Sequence, residues 1–259
     1  AIAILNADDA PVVSRANRFT GRKVFFTLNT PSPGEIGVVE ELLVDRAFVV
    51  DPQQASMICE LADIVPTVPH NVSNALAAAA LARAINVPHD AIQKALHDFR
   101  PGRHRIETVH EADGITWVDD SKATNPHAAA ASLMSHLSVV WIAGGLAKGA
   151  EIDAMVERCA PRMKAAILIG TDRALIEAAL IKHAPDLPRI LIDAPSDYVR
   201  GGASNSLMEA VINAVAKFAQ SGDAVLLAPA CASMDQFVSY ADRGDRFAAA
   251  VRKVVAHEA

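Results

Sequence analysis

The stretch Ile115-Thr116-Trp117-Val118-Asp119-Asp120-Ser121-Lys122-Ala123-Thr124-Asn125-Pro126 changes character in its middle. Its first half is a short, β-branched, apolar run of the kind that forms a buried strand. Its second half gathers carboxylates, an ammonium and two hydroxyls, and a proline follows at a position suited to the first turn of a helix. A strand that passes through a polar turn into a helix is the repeating unit of a largely parallel α/β sheet. The same alternation continues downstream. Strands are predicted at 115–119, 138–143, 165–170, 189–193 and 224–229, and helices at 126–135, 151–159, 172–183, 204–219 and 241–256. This is the pattern of a doubly wound, Rossmann-like domain, whose ligands sit beyond the carboxyl ends of the strands.

Upstream, strands are predicted at 1–5, 23–28 and 46–50, a turn-rich loop at 29–37, and helices at 71–85 and 89–98. Ala1-Ile2-Ala3-Ile4-Leu5 reads as a buried strand with no polar lead-in, which predicts that the chain begins inside a domain. Phe99-Arg100-Pro101-Gly102-Arg103 breaks the second helix and serves as the linker, giving domains 1–101 and 102–259.

Composition narrows the function. The chain has 259 residues, 51% hydrophobic and 21% charged, enough for two domains with sizeable cores. Aromatics at 5% predict a core with few aromatic anchors. The 24 basic and 30 acidic residues give a net charge of −6, which argues against a general nucleic-acid binder. No uninterrupted apolar run approaches the ~18 residues of a membrane span, despite a positive mean hydropathy. Cys59, Cys159 and Cys231 are far apart and odd in number, which fits neither a zinc site nor a disulfide framework and points to a reducing cytosol.

Several polar turns admit two readings. Asn71 and Asn74 share one helix face, where carboxamides either read an adenine edge or cap the helix. Arg103-His104-Arg105-Ile106-Glu107 is either a phosphate clamp or a solvated linker. In the central stretch, Asp120 can accept from a ribose hydroxyl, Lys122 can neutralise a phosphate or carboxylate, and Thr124 can donate at a helix start. The bland alternative is a turn capped by Thr124 or Asn125. Gly144-Gly145-Leu146-Ala147-Lys148-Gly149 lets a backbone approach a ligand and offers Lys148 to a carboxylate, or is a plain turn. It is neither a Walker A loop nor G-x-G-x-x-G, and no Gly-Lys-Ser/Thr occurs in the chain. Ser233 lies at the end of another strand but lacks the flanking glycines of a nucleophile elbow, and Cys231 reads as a buried structural thiol. Asp8-Asp9 reads as a turn, and the nine histidines show no metal-ligand spacing.

Taken together, Asn6-Ala7-Asp8-Asp9, His70-Asn71 with Asn74-Ala75-Leu76, His104-Arg105-Ile106-Glu107, Asp120-Ser121-Lys122-Ala123-Thr124-Asn125 and Pro229-Ala230-Cys231-Ala232-Ser233-Met234-Asp235-Gln236-Phe237 resemble the Mur ligase family. Within it they are most similar to the branch that adds D-glutamate, and residues 10–69 add little. The resemblance implies the C-terminal part of a central ATPase-type α/β domain (1–101, without a P-loop) followed by a Rossmann-like ligase domain (102–259). It implies a cytoplasmic, monomeric, ATP- and Mg2+-dependent ligase of peptidoglycan synthesis. D-Glutamate would be joined to UDP-N-acetylmuramoyl-L-alanine through an acyl phosphate. The UDP-sugar domain, P-loop and magnesium ligands are expected ahead of residue 1, so this chain alone is expected to be inactive, with no metal ligand of its own. Asn71 and Asn74 would contact adenine, Arg105 the phosphates and Asp120 the ribose. Lys122 and Arg105 would be the catalytic cations, and Thr124, Lys148, Ser233, the backbone of Met234 and Tyr240 would hold the substrate. Tyr240 stands where a phenylalanine is expected. The alternatives are a related ligase, such as folylpolyglutamate synthetase or another Mur ligase, or a non-catalytic nucleotide-binding module.

Overall fold

The computed structural model describes residues 1–194, 199–200 and 206–255. The chain divides into two compact units, Ala1–Pro101 and Gly102–Ala259.

The first unit carries a five-stranded sheet in the order β1-β2-β3-β4-β5. β1 (Ile2–Asn6), β2 (Arg22–Phe26) and β3 (Glu35–Val39) run parallel; β4 (Leu42–Asp45) and β5 (Ser56–Glu60) join as an antiparallel meander. The sequence anticipates β1, but as a buried strand. It is half-buried at the sheet edge instead. Asp9, read as part of a turn, is the N-cap of a short helix α1 (Ala10–Ala16), its carboxylate accepting from Val12 N at 3.1 Å.

The strand expected at 46–50 is not formed. The Asp45 carboxylate is fully buried and accepts from the amides of both Ala47 and Phe48 at 2.8 Å. That Asx-type turn bends the chain where a strand would have continued. Part of the predicted loop 29–37 is β3 instead. The Ala-rich α2 (Pro69–Ala84) buries Val72, Ala75, Leu76, Ala79 and Ala80 against the sheet, and α3 (His89–Asp98) follows.

The second unit is a six-stranded sheet. Its strands are β6 (Glu107–Ala112), β7 (Ile115–Asp119), β8 (Val139–Gly144), β9 (Met163–Ile169), β10 (Arg189–Leu191) and β11 (Ala224–Leu227). Their order is β10-β9-β8-β11-β7-β6, all parallel except the edge strand β6. Every residue of β8 and β11 is buried, as expected for strands covered on both faces. The helices are α4 (Pro126–Leu133), α5 (Asp153–Cys159), α6 (Arg173–His183), α7 (Ser206–Val215) and α8 (Tyr240–Val255). The predicted helix positions 204–205 and 256 lie outside the described residues. Aromatic anchors in the core are few: Phe26, Trp117, Trp141, Phe237 and Phe247 are buried among mainly aliphatic side chains. Among the described residues, no helix is long and apolar enough to cross a membrane.

β11 enters between β7 and β8, so strand order reverses there. The crevice at such a switch point is where doubly wound sheets bind ligands. Gly145 shows how tightly it is closed. Its φ is +131°, and an added Cβ would collide with Ala232 O. Gly145→Ala should therefore destabilise the unit by at least ~2 kcal/mol, from combined backbone strain and overpacking. The denaturation midpoint measures this, and an unchanged midpoint would refute it.

Candidate functional site at the strand ends of the second unit

Three loops leave the carboxyl ends of β7, β8 and β11, and hydrogen bonds stitch them together. Asp120 N donates to Leu227 O (2.9 Å), Ala230 N to Ala123 O (3.0 Å), and Gly144 N to Pro229 O (2.9 Å). Leu146 and Ala232 exchange both backbone bonds, at 2.8 and 2.9 Å. Arg243, in the first turns of α8, is completely buried among them. Its guanidinium donates to Ser121 Oγ (2.9 Å), Ser121 O (3.0 Å), Gly144 O (3.4 Å) and Cys231 O (3.2 Å). One side chain thus ties all three loops. Burial pulls its pKa down to about 10, leaving it cationic at neutral pH.

The sequence-predicted residues fall on these loops. Asp120 is buried, and burial, helped by the neighbouring Asp119 carboxylate, pushes its pKa up to about 6. Lys122 is half-buried, with Nζ 3.9 Å above the centre of the Tyr240 ring, so Tyr240 fixes the ammonium by a cation–π contact. Thr124 is half-buried just ahead of α4, whose cap is Asn125, accepting from Ala128 N at 2.9 Å. Lys148 is exposed, in a left-handed conformation at φ 52°. Ser233 is buried, and its carbonyl accepts from Phe237 N at 2.8 Å. Met234 presents an exposed side chain, and its carbonyl accepts from Arg200 at 2.6 Å. Cys231 is buried, and desolvation raises its pKa to about 11, so it is not a poised nucleophile.

The segment 103–107 is not a solvated linker throughout. Arg103 is exposed and paired with Asp245 (2.7 Å), and Arg105 is exposed, but His104 and Ile106 are buried. His104 Nδ1 lies 2.7 Å from Asp119 Oδ2, and Ser121 N donates to Asp119 Oδ1 at 2.9 Å. His104, Glu107 and Asp119 form the one trio of potential metal-ligand groups found among the described residues. It does not suit Mg2+. Both Asp119 oxygens already face nitrogen partners, Glu107 accepts from His104 N (2.8 Å), and an imidazole is a poor ligand for a hard cation.

In the first unit, Asn71 and Asn74 line a cavity of about 320 Å³ with Ile64, Val65, Ala75 and Phe99. Val68, not an asparagine, is the N-cap of α2, and Asn71 Nδ2 donates to Pro66 O at 3.0 Å. The capping alternative for these two residues therefore falls away. An apolar slot with carboxamides at its wall suits a planar heteroaromatic base.

Sequence reasoning passed over Arg243 and the His104–Asp119 pair. A signal for Arg243 existed: Arg243, Phe247 and Val251 recur at i, i+4, i+8 along one apolar face of α8.

Doubly wound sheets hold their ligands at such a switch point, and cations and hydroxyls gathered there suit an anionic one. Residues 104–231 match the family described as Mur ligase, glutamate ligase domain. The chain is 53% identical over 232 residues to the UDP-N-acetylmuramoylalanine–D-glutamate ligase of Streptomyces avermitilis, covering 89% of this chain and 48% of that protein. It is 47% identical over 274 residues to the ligase of the same name from Mycobacterium avium, covering 98% of this chain and 53% of that protein. Among solved structures, a pseudomurein peptide ligase type C from Methanothermus fervidus shares the fold at TM-score 0.62 and 16% identity, covering 97% of this chain and 56% of that one. The chain belongs to the Mur ligase family, and it spans about half the length of the curated relatives it matches.

Proposed function

We propose that this chain forms part of an ATP-dependent ligase that joins D-glutamate to UDP-N-acetylmuramoyl-L-alanine. The observation that carries the reading is the placement of Lys122, Lys148 and Ser233 on three hydrogen-bonded loops at one switch point, in a chain 53% identical to a ligase of that name. ATP would phosphorylate the alanyl carboxylate, giving an acyl phosphate and ADP. The D-glutamate amine then attacks the acyl carbon, and the tetrahedral intermediate collapses with loss of inorganic phosphate. No side chain of this chain need form a covalent bond.

The residues divide the work by charge. D-Glutamate brings two carboxylates, for which Lys148, Thr124, Ser233 and the Met234 amide are the proposed partners. Lys122, steadied by Tyr240, is proposed to offset charge on the acyl phosphate and the oxyanion that follows. Asp120 is proposed to accept from ribose hydroxyls, Arg105 to meet the phosphates, and the Asn71–Asn74 cavity to receive adenine. Mg2+ would neutralise phosphate charge; the one candidate trio among the described residues does not suit it, so no step is assigned to it from this chain.

The test is phosphate release by the ligase containing this chain, measured with and without D-glutamate and UDP-N-acetylmuramoyl-L-alanine. Release should require both, and other amino acids should not replace D-glutamate. Lys148→Ala should raise the KM for D-glutamate about tenfold, the equivalent of one lost charged contact at ~1.4 kcal/mol, with the KM for ATP within twofold. Unchanged D-glutamate kinetics would remove Lys148 from the site.

A further inference from the structure

We infer that His104 is a positioning residue for nucleotide use, locking the Arg105 segment onto the loop that carries Asp120. The inference rests on the nucleotide reading of Arg105 and Asp120 given above. Arg105 sits between two non-glycine residues in the left-handed region, His104 at φ 64° and Ile106 at φ 48°. Such backbone is held only when surroundings over-determine it. Here His104 supplies the hold. Its amide donates to Glu107 Oε2 (2.8 Å), its carbonyl accepts from Lys122 N (3.1 Å), and its ring reaches Asp119 Oδ2 (2.7 Å). The ring edge also stands against Tyr240, with centroids 6.2 Å apart. The third wall is Gly244 of α8, where an added Cβ would collide with His104 Nδ1 and Asp119 Oδ2. The imidazole is buried and does not present itself to a substrate. Its side chain fixes where the exposed Arg105 guanidinium starts from and where the Asp119–Asp120 peptide lies. Lys122 is held by the His104 backbone, so it does not depend on the ring.

Asparagine tolerates the left-handed region and places an amide nitrogen close to where Nδ1 lies. His104→Asn should therefore retain the lock, and His104→Ala should lose it. In the ligase containing this chain, His104→Ala should raise the KM for ATP about tenfold while the KM for D-glutamate stays within twofold. His104→Asn should recover the ATP value to within threefold. Asp119→Ala should likewise raise the KM for ATP, and adding His104→Ala to it should raise that KM no further, as expected when the two act through one shared contact. Should His104→Ala fail to fold, Asp119→Ala and His104→Asn carry the same comparison. Equal increases in both KM values, an unchanged KM for ATP, or an asparagine variant as impaired as alanine would each overturn the inference. Wild-type ligase that shows no ATP-dependent phosphate release would instead overturn the nucleotide reading and this inference with it.

Discussion

Replacing Asp120 with asparagine is expected to make the protein harder to unfold at neutral pH and poorer at holding nucleotide. The carboxyl group is buried, and its pKa rises from 3.8 to about 6, first through desolvation and then through the Asp119 charge. A folded-state pKa above the unfolded value means that the native state binds the proton more tightly. The stability associated with that proton is fully present below about pH 4 and is lost as pH rises through about 6. A rise of that size corresponds to roughly 3 kcal/mol. Asparagine matches the neutral carboxylic acid in size and never ionises. Wild type and variant should therefore unfold at similar denaturant concentrations at about pH 4, and the variant should be more stable at about pH 8 by about 2 kcal/mol. If Asp120 accepts from ribose hydroxyls, the variant should also raise the KM for ATP, the usual exchange of stability for function at a binding carboxylate. Equal midpoints under the alkaline condition, or a variant less stable there, would defeat the argument.

The sequence was most transparent where burial leaves an unbroken mark. β8 and β11 are covered on both faces, so they read as continuous apolar runs, and Pro126 and Asn125 announce the start of α4 in sequence terms. It was opaque where a side chain redirects the backbone. Ala47-Phe48-Val49-Val50 has the composition of a strand, yet the Asp45 carboxylate captures two successive amides and turns the chain, leaving Val50 fully exposed. β6 was missed for the opposite reason: Glu107-Thr108-Val109-His110-Glu111-Ala112 is polar because it is an edge strand, and only its antiparallel partner β7 defines it. The site divides in the same way. Lys122, Thr124, Lys148 and Ser233, the residues proposed to meet a ligand in the second unit, sit in loops after strands and stand out as polar text between apolar words. Residues that hold those loops are charged groups turned inward, and composition assigns charged groups to the surface.

Arg243 is the extreme instance, and its removal is expected to have the largest effect of any single substitution here. Its five N–H groups meet four acceptors on three loops, and no solvent reaches it. Arg243→Met keeps the packed stem but leaves Ser121 O, Gly144 O and Cys231 O without these donors in a dry interior. Each buried acceptor stranded in this way costs about 1–3 kcal/mol, offset in part because a desolvated cation is also removed. A net loss of about 3–5 kcal/mol is expected, which for a unit of this size lowers the melting temperature by on the order of 10 °C. Arg243→Lys separates folding from geometry. The ammonium keeps the charge but replaces a planar fork with three donors at a single nitrogen, so it cannot span all three loops at once. That variant should stay folded and raise the KM for D-glutamate more than the KM for ATP, because Lys122, Lys148 and Ser233 each lie within four residues of a carbonyl that the guanidinium holds. A methionine variant with the wild-type melting temperature would show that the three loops hold one another without Arg243. A lysine variant with wild-type D-glutamate kinetics would show that the loops do not carry the amino-acid site.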